Sequence, residues 1–470
     1  MEKGSRKLLI ALLLGGLALG MIPVCLAEGA PTQLSLDQAV RIALENNLQR
    51  RLAQGELEVA RDKRAQAASG YLPKVTLSGG YNRLNEIPDT VELARSLAQL
   101  NNGLDAWASA LAPSDPRFGE LAKNLNQVEL LSDSLDYYGL KLHVEQPLYT
   151  GNKLTALNKQ AGYNEEYARA NLTASENNLA MDVKRAYFTV LLAQRMAVTF
   201  DEAMAGMEHH LAEANSYLKA GMVPKLDVMR AEVRLADLRQ KQLLAHNSMT
   251  LAKTAFNFVL GVDLGAEFVL EERLDYSLPA GDLQHYLDRA VANRPELAAM
   301  NARVEMARQA VAIAKSANKP LVALIADGQT MEPITPSPSV TVGVMATIKL
   351  YDGGLVKNQI AEAETTLQQA MTGKTLLERG IRLEVEQAYR NLQVALESVK
   401  VAEKSLDQAK ETLRMAEVSY QAGLSSSLER IDAEIGLTQA KTNHTQALSM
   451  AQIAVAQLER ATGTSKEESK

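Results

Sequence analysis

The chain has 470 residues, aromatics make up 4% of it, and its formal charge is −6. So few aromatics, beside long stretches dominated by Ala, Leu, Gln, Glu and Lys, exclude a thick globular core and point to extended helices. An acidic balance with no basic run interleaved with aromatics excludes a nucleic-acid surface.

Residues 1–27 open with Lys3, Arg6 and Lys7, continue through the apolar stretch Leu8 to Ile22, and reach the small residue Ala27, where a signal peptidase could cut. A removed signal peptide is expected. A retained anchor is the alternative, since Leu8 to Ala27 is about long enough to span, but Gly15, Gly16, Gly20 and Pro23 weigh against it. The sole cysteine, Cys25, lies in this segment, so a cut after Ala27 excludes disulfide and thiol chemistry. Lipidation of Cys25 is the other outcome, and Val24 before it fits such a site poorly.

Beyond the leader the chain is a doubled unit, which is the first thing to look for in a long sequence. At an offset of 202, Leu148, Tyr149 and Gly151 fall on Leu350, Tyr351 and Gly353, and Gly221, Leu226, Ala231 and Glu232 fall on Gly423, Leu428, Ala433 and Glu434. Upstream the offset is 247, placing Asn46 on Asn293, Glu58 on Glu305 and Pro73 on Pro320. The difference of 45 residues requires an insertion in the first copy, between about Asn85 and Asp136.

Each copy reads in order as helix, short strand, loop, short strand, very long helix, tight turn and long helix. Ile381, Val385, Ala388, Leu392, Ala395, Val399, Ala402, Leu406, Ala409, Leu413, Ala416 and Tyr420 form an apolar heptad seam. Leu179, Val183, Ala186, Val190, Ala193, Ala197, Phe200, Met204, Met207, Leu211, Ala214 and Leu218 repeat it in the first copy. With no proline from Asn152 to Lys219, that helix reaches roughly 100 Å at 1.5 Å per residue. Gly221 and Gly423 are placed to end the seams in the left-handed conformation. Pro224 and Ser425 to Ser427 then start the returning helices.

Pro73 and Pro320 end helices and open alternating runs: Val75, Leu77 and Tyr81; Leu140, Leu142 and Val144; Val340, Val342 and Val344. A fourth, Leu321 to Asp327, is expected to be short and alternates poorly. These runs suit barrel strands with tyrosines near their ends, or an ordinary small soluble sheet. As a membrane barrel, four strands are too few to close, so several chains would share one.

The segments L-S-L-D-Q-A-V-R-I-A-L-E-N-N (Leu34 to Asn47), Y-L-P-K-V (Tyr71 to Val75), Q-P-L-Y-T-G (Gln146 to Gly151), K-L-Y-D-G-G (Lys349 to Gly354) and Y-Q-A-G-L (Tyr420 to Leu424) together resemble TolC-like outer-membrane efflux proteins, from about residue 34 to 463. The fold so implied is mainly α with a small β portion: long antiparallel coiled-coil hairpins plus four strands contributed to a trimeric twelve-stranded barrel and twelve-helix tunnel. The implied function is an exit duct of a tripartite efflux or type I secretion system in the cell outer membrane, extending into the periplasm, with no catalytic residues and no cofactor. The implied partners are two further copies of the chain, outer-membrane lipid, a periplasmic adaptor (membrane fusion) protein, and an inner-membrane pump of the resistance-nodulation-division or ATP-driven type. The resemblance also implies a pore constriction at Glu429 and Asp432 with Tyr420 beside the turn. It implies adaptor contact at the tips Ala220, Gly221, Met222, Val223, Ala422, Gly423, Leu424 and Ser425. Ser425 stands where some members carry a gate-locking basic residue, which puts that latch in doubt. Glu429 and Asp432 also sit near a helix start, where acids are common for local reasons.

The expected organisation is a signal peptide at 1–27, helices of the first copy at 28–70, its strands at 71–150 with an inserted extracellular segment at 85–136, and its hairpin at 151–261 with the tip at 220–225. A linker at 262–280 follows. The second copy has helices at 281–319, strands at 320–351 and a hairpin at 352–463 with its tip at 422–427, ending in a polar tail at 464–470.

Two decoys carry no chemistry. Thr372 to Thr375 resembles a phosphate loop, but Gln368 stands where that motif needs glycine, and the stretch is inside a helix. His209 and His210 are adjacent on a helix, and a chelating pair prefers a spacing of four, so no metal site is expected. The remaining rival is a periplasmic coiled-coil adaptor or structural rod, which explains the heptads but not strands placed twice between helices.

Overall fold

The computed structural model describes residues 33–83, 136–271, 281–332 and 335–463, with isolated positions 104, 106, 108 and 117. The expected leader with Cys25, most of the inserted segment with its Trp107, and the tail at 464–470 lie outside the described residues. In chain order the elements are β1 (Gln33–Leu34), α1 (Leu36–Asn46), α2 (Leu48–Ser69), β2 (Lys74–Arg83), β3 (Asp136–Tyr149), α3 (Lys153–Lys219) and α4 (Lys225–Leu260). They continue with β4 (Val269–Leu270), α5 (Leu283–Asn293), α6 (Pro295–Ser316), β5 (Leu321–Glu332), β6 (Thr335–Thr347), α7 (Leu355–Gln421) and α8 (Ser427–Ala461).

The doubling is written into the element boundaries. Both α3 and α7 have 67 residues, and their first and last residues are 202 apart. Likewise α2 and α6 have 22 residues each, offset by 247. Both registers seen in the residue pattern thus recur in three dimensions.

By internal packing the chain forms two compact units. One holds the described parts of residues 47–181, 277–398 and 453–470. It contains the sheet, in the antiparallel order β2-β3-β5-β6. Its main core joins Tyr286, Ala290 and Leu297 to Ile381, Val385, Ala388 and Leu392 of α7 and Ala454, Leu458 and Ala461 of α8. A smaller core joins Leu57 and Ala60 of α2 to Ala168 of α3, flanked by the ion pairs Arg50 to Glu176 (2.9 Å) and Arg64 to Glu165 (2.8 Å). The three arginines around Glu165 hold its carboxyl below the usual range, hydrogen bonding from Arg64 contributing most.

The sheet separates its faces cleanly. Across the strands, Val75, Val144, Ala326 and Val342 pair in one row and Thr76, His143, Asp327 and Thr341 in the next. The apolar face stands exposed, with Val75, Leu77, Tyr81, Leu140, Val340 and Val342 all more than half exposed. On the polar face Asp327 meets His143 at 2.8 Å and Lys141 at 3.2 Å. Strand β5 corrects the expected short run: it has 12 residues, because it is paired on both sides and the ladder extends it beyond its poor alternation. Among the described residues no helix is long and apolar enough to cross a membrane.

The other unit holds the described parts of residues 1–46, 182–276 and 399–452. Its core joins Ala203 and Met207 of α3, Ala231 and Leu238 of α4, and Ile431 of α8. Within the expected linker at 262–280, β4 pairs in parallel with β1 through Gln33 to Val269 and Leu34 to Leu270. Two-residue strands carry no periodicity to read. They are held instead by Tyr187 of α3, whose hydroxyl lies 3.1 Å from the Leu34 carbonyl and 2.8 Å from that of Glu271. Burial of this hydroxyl, with Glu271 nearby, pushes its pKa up to about 12.

Candidate functional site

The two hairpin turns are built identically. Gly221 has φ 73° and Gly423 φ 70°. In the first, the Gly221 amide donates to the Leu218 carbonyl (3.0 Å) and Met222 to Tyr217 (2.8 Å). In the second, Gly423 donates to Tyr420 (3.0 Å) and Leu424 to Ser419 (2.8 Å). This paired closure satisfies the last carbonyls of each long helix and requires the left-handed backbone that glycine alone adopts without strain. The closure turns Met222 and Leu424 outward, 70% and 83% exposed, so each turn presents one large apolar side chain.

Beyond the second turn, Glu429 and Asp432 are three apart on α8 and share a face. Both are exposed. They border a groove of about 450 Å³ whose other walls are Ala409, Thr412 and Ala416 of α7 and Ala433 and Gly436 of α8. Small residues let the two helices open this groove, and two carboxylates give it a negative wall. Such a surface attracts cations and repels anions when several copies face one another.

Tyr420 does not join them. It is 6% exposed and packs inward, its ring 5.4 Å from that of His210 and 6.0 Å from that of Tyr217, with the Arg430 guanidinium 5.6 Å over its face. The expected trio is thus split into a carboxylate pair on the groove and a buried tyrosine behind it. Ser425, where a basic latch residue would stand, is half-buried and its hydroxyl has no partner among the described residues.

Residue reasoning missed the side chains around Tyr420. His210 is fully buried and its Nε2 lies 2.9 Å from Ser427 Oγ. Arg430, also buried, pairs with Glu213 and reaches Glu417 at 3.9 Å. Glu434 fits because Gly206 opposes it, where a Cβ would overlap its Oε1. Burial raises the Glu434 carboxyl above its usual range while Arg430 lowers it. A signal was present: Ala203, Met207, His210 and Ala214 follow the four-three-four step of a buried face, so His210 occupies a core position.

Among the described residues no group of three or more His, Cys, Asp or Glu could hold a metal ion. Residues 39–262 and 286–464 match the family described as outer membrane efflux protein. Outer membrane protein TolC of Vibrio cholerae is 22% identical over 399 residues, covering 83% of this chain and 90% of its own. Among solved structures, CusC superposes with a TM-score of 0.74 at 17% identity, covering 93% of this chain and 95% of that one. The open state of the MtrE outer membrane channel of Neisseria gonorrhoeae superposes with a TM-score of 0.72 at 17% identity, covering 91% and 88%. These likenesses set aside the periplasmic rod, and with the helical hairpins and the open sheet they lead to one conclusion: the chain belongs to the outer membrane efflux protein family, sits in the outer membrane and extends into the periplasm, and is a channel protein and not an enzyme.

Proposed function

We propose that three copies of this chain form one exit duct of a tripartite efflux or type I secretion system. The observation that carries this reading is the four-stranded sheet, in which, among the described residues, the outer edges of β2 and β6 have no strand partner and one face is apolar and exposed. Open edges are not tolerated in lipid, and three such sheets make a closed barrel of twelve strands.

The helices support the same assembly. Within their unit α4 packs on α3, α3 on α8 and α8 on α7, and at the turn Tyr420 of α7 also packs on α3; away from the turn α4 and α7 are the outer helices of this set. Their outer faces carry matching apolar stripes. Val418, Met415 and Val401 lie 3, 6 and 20 residues before the end of α7, and Leu226, Met229 and Leu244 lie 1, 4 and 19 residues after the start of α4. Run antiparallel, the stripes agree within two residues, as an α7-to-α4 seam between neighbouring copies requires. A chain carrying Val401→Cys and Leu244→Cys should give oxidised bands of linked dimer and trimer in outer-membrane fractions. Monomer alone under those conditions would count against the assembly.

In this duct Glu429 and Asp432 form the narrow charged ring, closed by inward packing of the α7–α8 hairpin. A periplasmic adaptor docks on the turns at 220–223 and 422–425, where Met222 and Leu424 supply apolar anchors, and an inner-membrane pump drives cargo through it. For the ring, Glu429→Ala with Asp432→Ala should weaken divalent-cation block of single-channel current in planar bilayers by roughly tenfold, the loss of about 1.4 kcal/mol of binding. Unchanged block would remove these carboxylates from the constriction.

A further inference from the structure

Behind the second turn, polar side chains occupy positions where a heptad seam places hydrocarbon. His210 and Ser427 are 0% and 1% exposed, and Arg430 and Tyr420 are 6% exposed. Ser427 is the first residue of α8, so its 2.9 Å contact with His210 ties the start of that helix to α3, and Arg430 adds a second tie through Glu213. Among the described residues, His210 Nδ1, Tyr420 Oη and Arg430 Nε have no hydrogen-bond partner. With the neutral ring donating from Nε2 to Ser427 Oγ, the tautomer that leaves no N–H unpaired, a second proton falls on Nδ1, which has no acceptor among the described residues.

We propose that this knot is an acid-sensitive weld between α3 and the first turn of α8, which releases the helix start behind the second turn as the pH falls from neutral towards 5. A second proton on His210 would put an unpaired N–H in a dry site and a positive charge beside Arg430. Both penalties are removed if the first turn of α8 moves away. The charged groups facing the imidazole are Arg430 of α8, Glu213 and His209 of α3 and Asp227 of α4. Glu417 and Tyr420 of α7, Tyr217 of α3, Arg234 of α4 and Glu434 of α8 complete the surroundings.

Burial, with Arg430 second, depresses the His210 pKa from 6.5 to about 4 in the packed state. The released state binds a proton between those values and the packed state does not, so the weld is at full strength above 6.5 and weakens on acidification. Glu434 acts oppositely, since its raised pKa means that acid relieves the cost of burying it. Substituting His210 isolates its share.

The test is amide hydrogen exchange of residues 425–432 in the full-length protein purified from outer membranes, compared at pH 7 and pH 5 after correction for intrinsic rates. Protection in the native protein should fall roughly tenfold at pH 5, and His210→Phe should reduce that fall to less than about twofold. Ser427→Ala, which keeps the imidazole and removes its partner, should lower the protection already at pH 7 and leave the onset of the fall near the released imidazole's 6.5. An equal acid effect in His210→Phe, undiminished pH 7 protection in Ser427→Ala, or unchanged protection of the native protein between pH 7 and pH 5 would overturn the proposal.

Discussion

Val342→Arg should deplete the folded protein from the outer membrane, whereas Thr341→Arg, one residue away, should leave it there. The contrast follows from the two-residue period of a strand. Val342 pairs with Ala326 in the row that ends at Val75, and Thr341 pairs with Asp327 in the row that holds His143. An arginine on the lipid side near the middle of a strand costs about 2–4 kcal/mol per chain, and the proposed trimer would carry that cost three times. On the polar side the guanidinium remains in water and joins Asp327. Heat-modifiable species in outer-membrane fractions measure the outcome, and equal assembly of both variants would show that the apolar face does not meet lipid.

The second large effect is expected at Arg294. Its side chain is 4% exposed and donates to the carbonyls of Arg460 (3.3 Å) and Ala461 (3.2 Å), the last of α8. It also reaches Glu296 at 2.9 Å and Glu384 at 3.0 Å, both of which Arg460 contacts as well. Arg294→Ala takes the guanidinium from the Ala461 carbonyl and from two carboxylates, while the Arg460 carbonyl keeps the Gly463 amide (3.1 Å). A loss of about 3 kcal/mol is expected, the lower end for a broken buried pair, because Arg460 remains and the carboxylates are partly exposed. Arg294→Lys should recover less than half, since one ammonium cannot span four acceptors. Urea unfolding followed by far-ultraviolet circular dichroism checks both, and a variant as stable as the native chain would make the contacts incidental.

These sites differ in how far they could be read from the residues. The doubled unit, the two long helices and the glycine turns were legible because each is a local or periodic property. A heptad repeated over dozens of residues declares a helix, and Gly221 and Gly423 declare its end. The shared offsets of 202 and 247 recur in helix boundaries because each copy carries the same local signals. Glu429 and Asp432 were singled out through family resemblance, and their spacing on α8 explains why they share one face.

Other features depend on residues far apart in the chain. The β1–β4 pair is two residues deep and exists because the Tyr187 hydroxyl sits between Leu34 and Glu271. Strand β5 runs to Glu332 because β3 and β6 both pair with it, whatever its own alternation. His210 and Ser427 are 217 residues apart, so neither reveals that the other satisfies it in a dry interior. The sequence alone therefore determined the helical class, the repeat and the places where the chain turns back, since those follow from period and backbone preference. Only the tertiary structure decided which polar side chains are buried and paired, because desolvation and hydrogen bonding depend on what packing brings alongside.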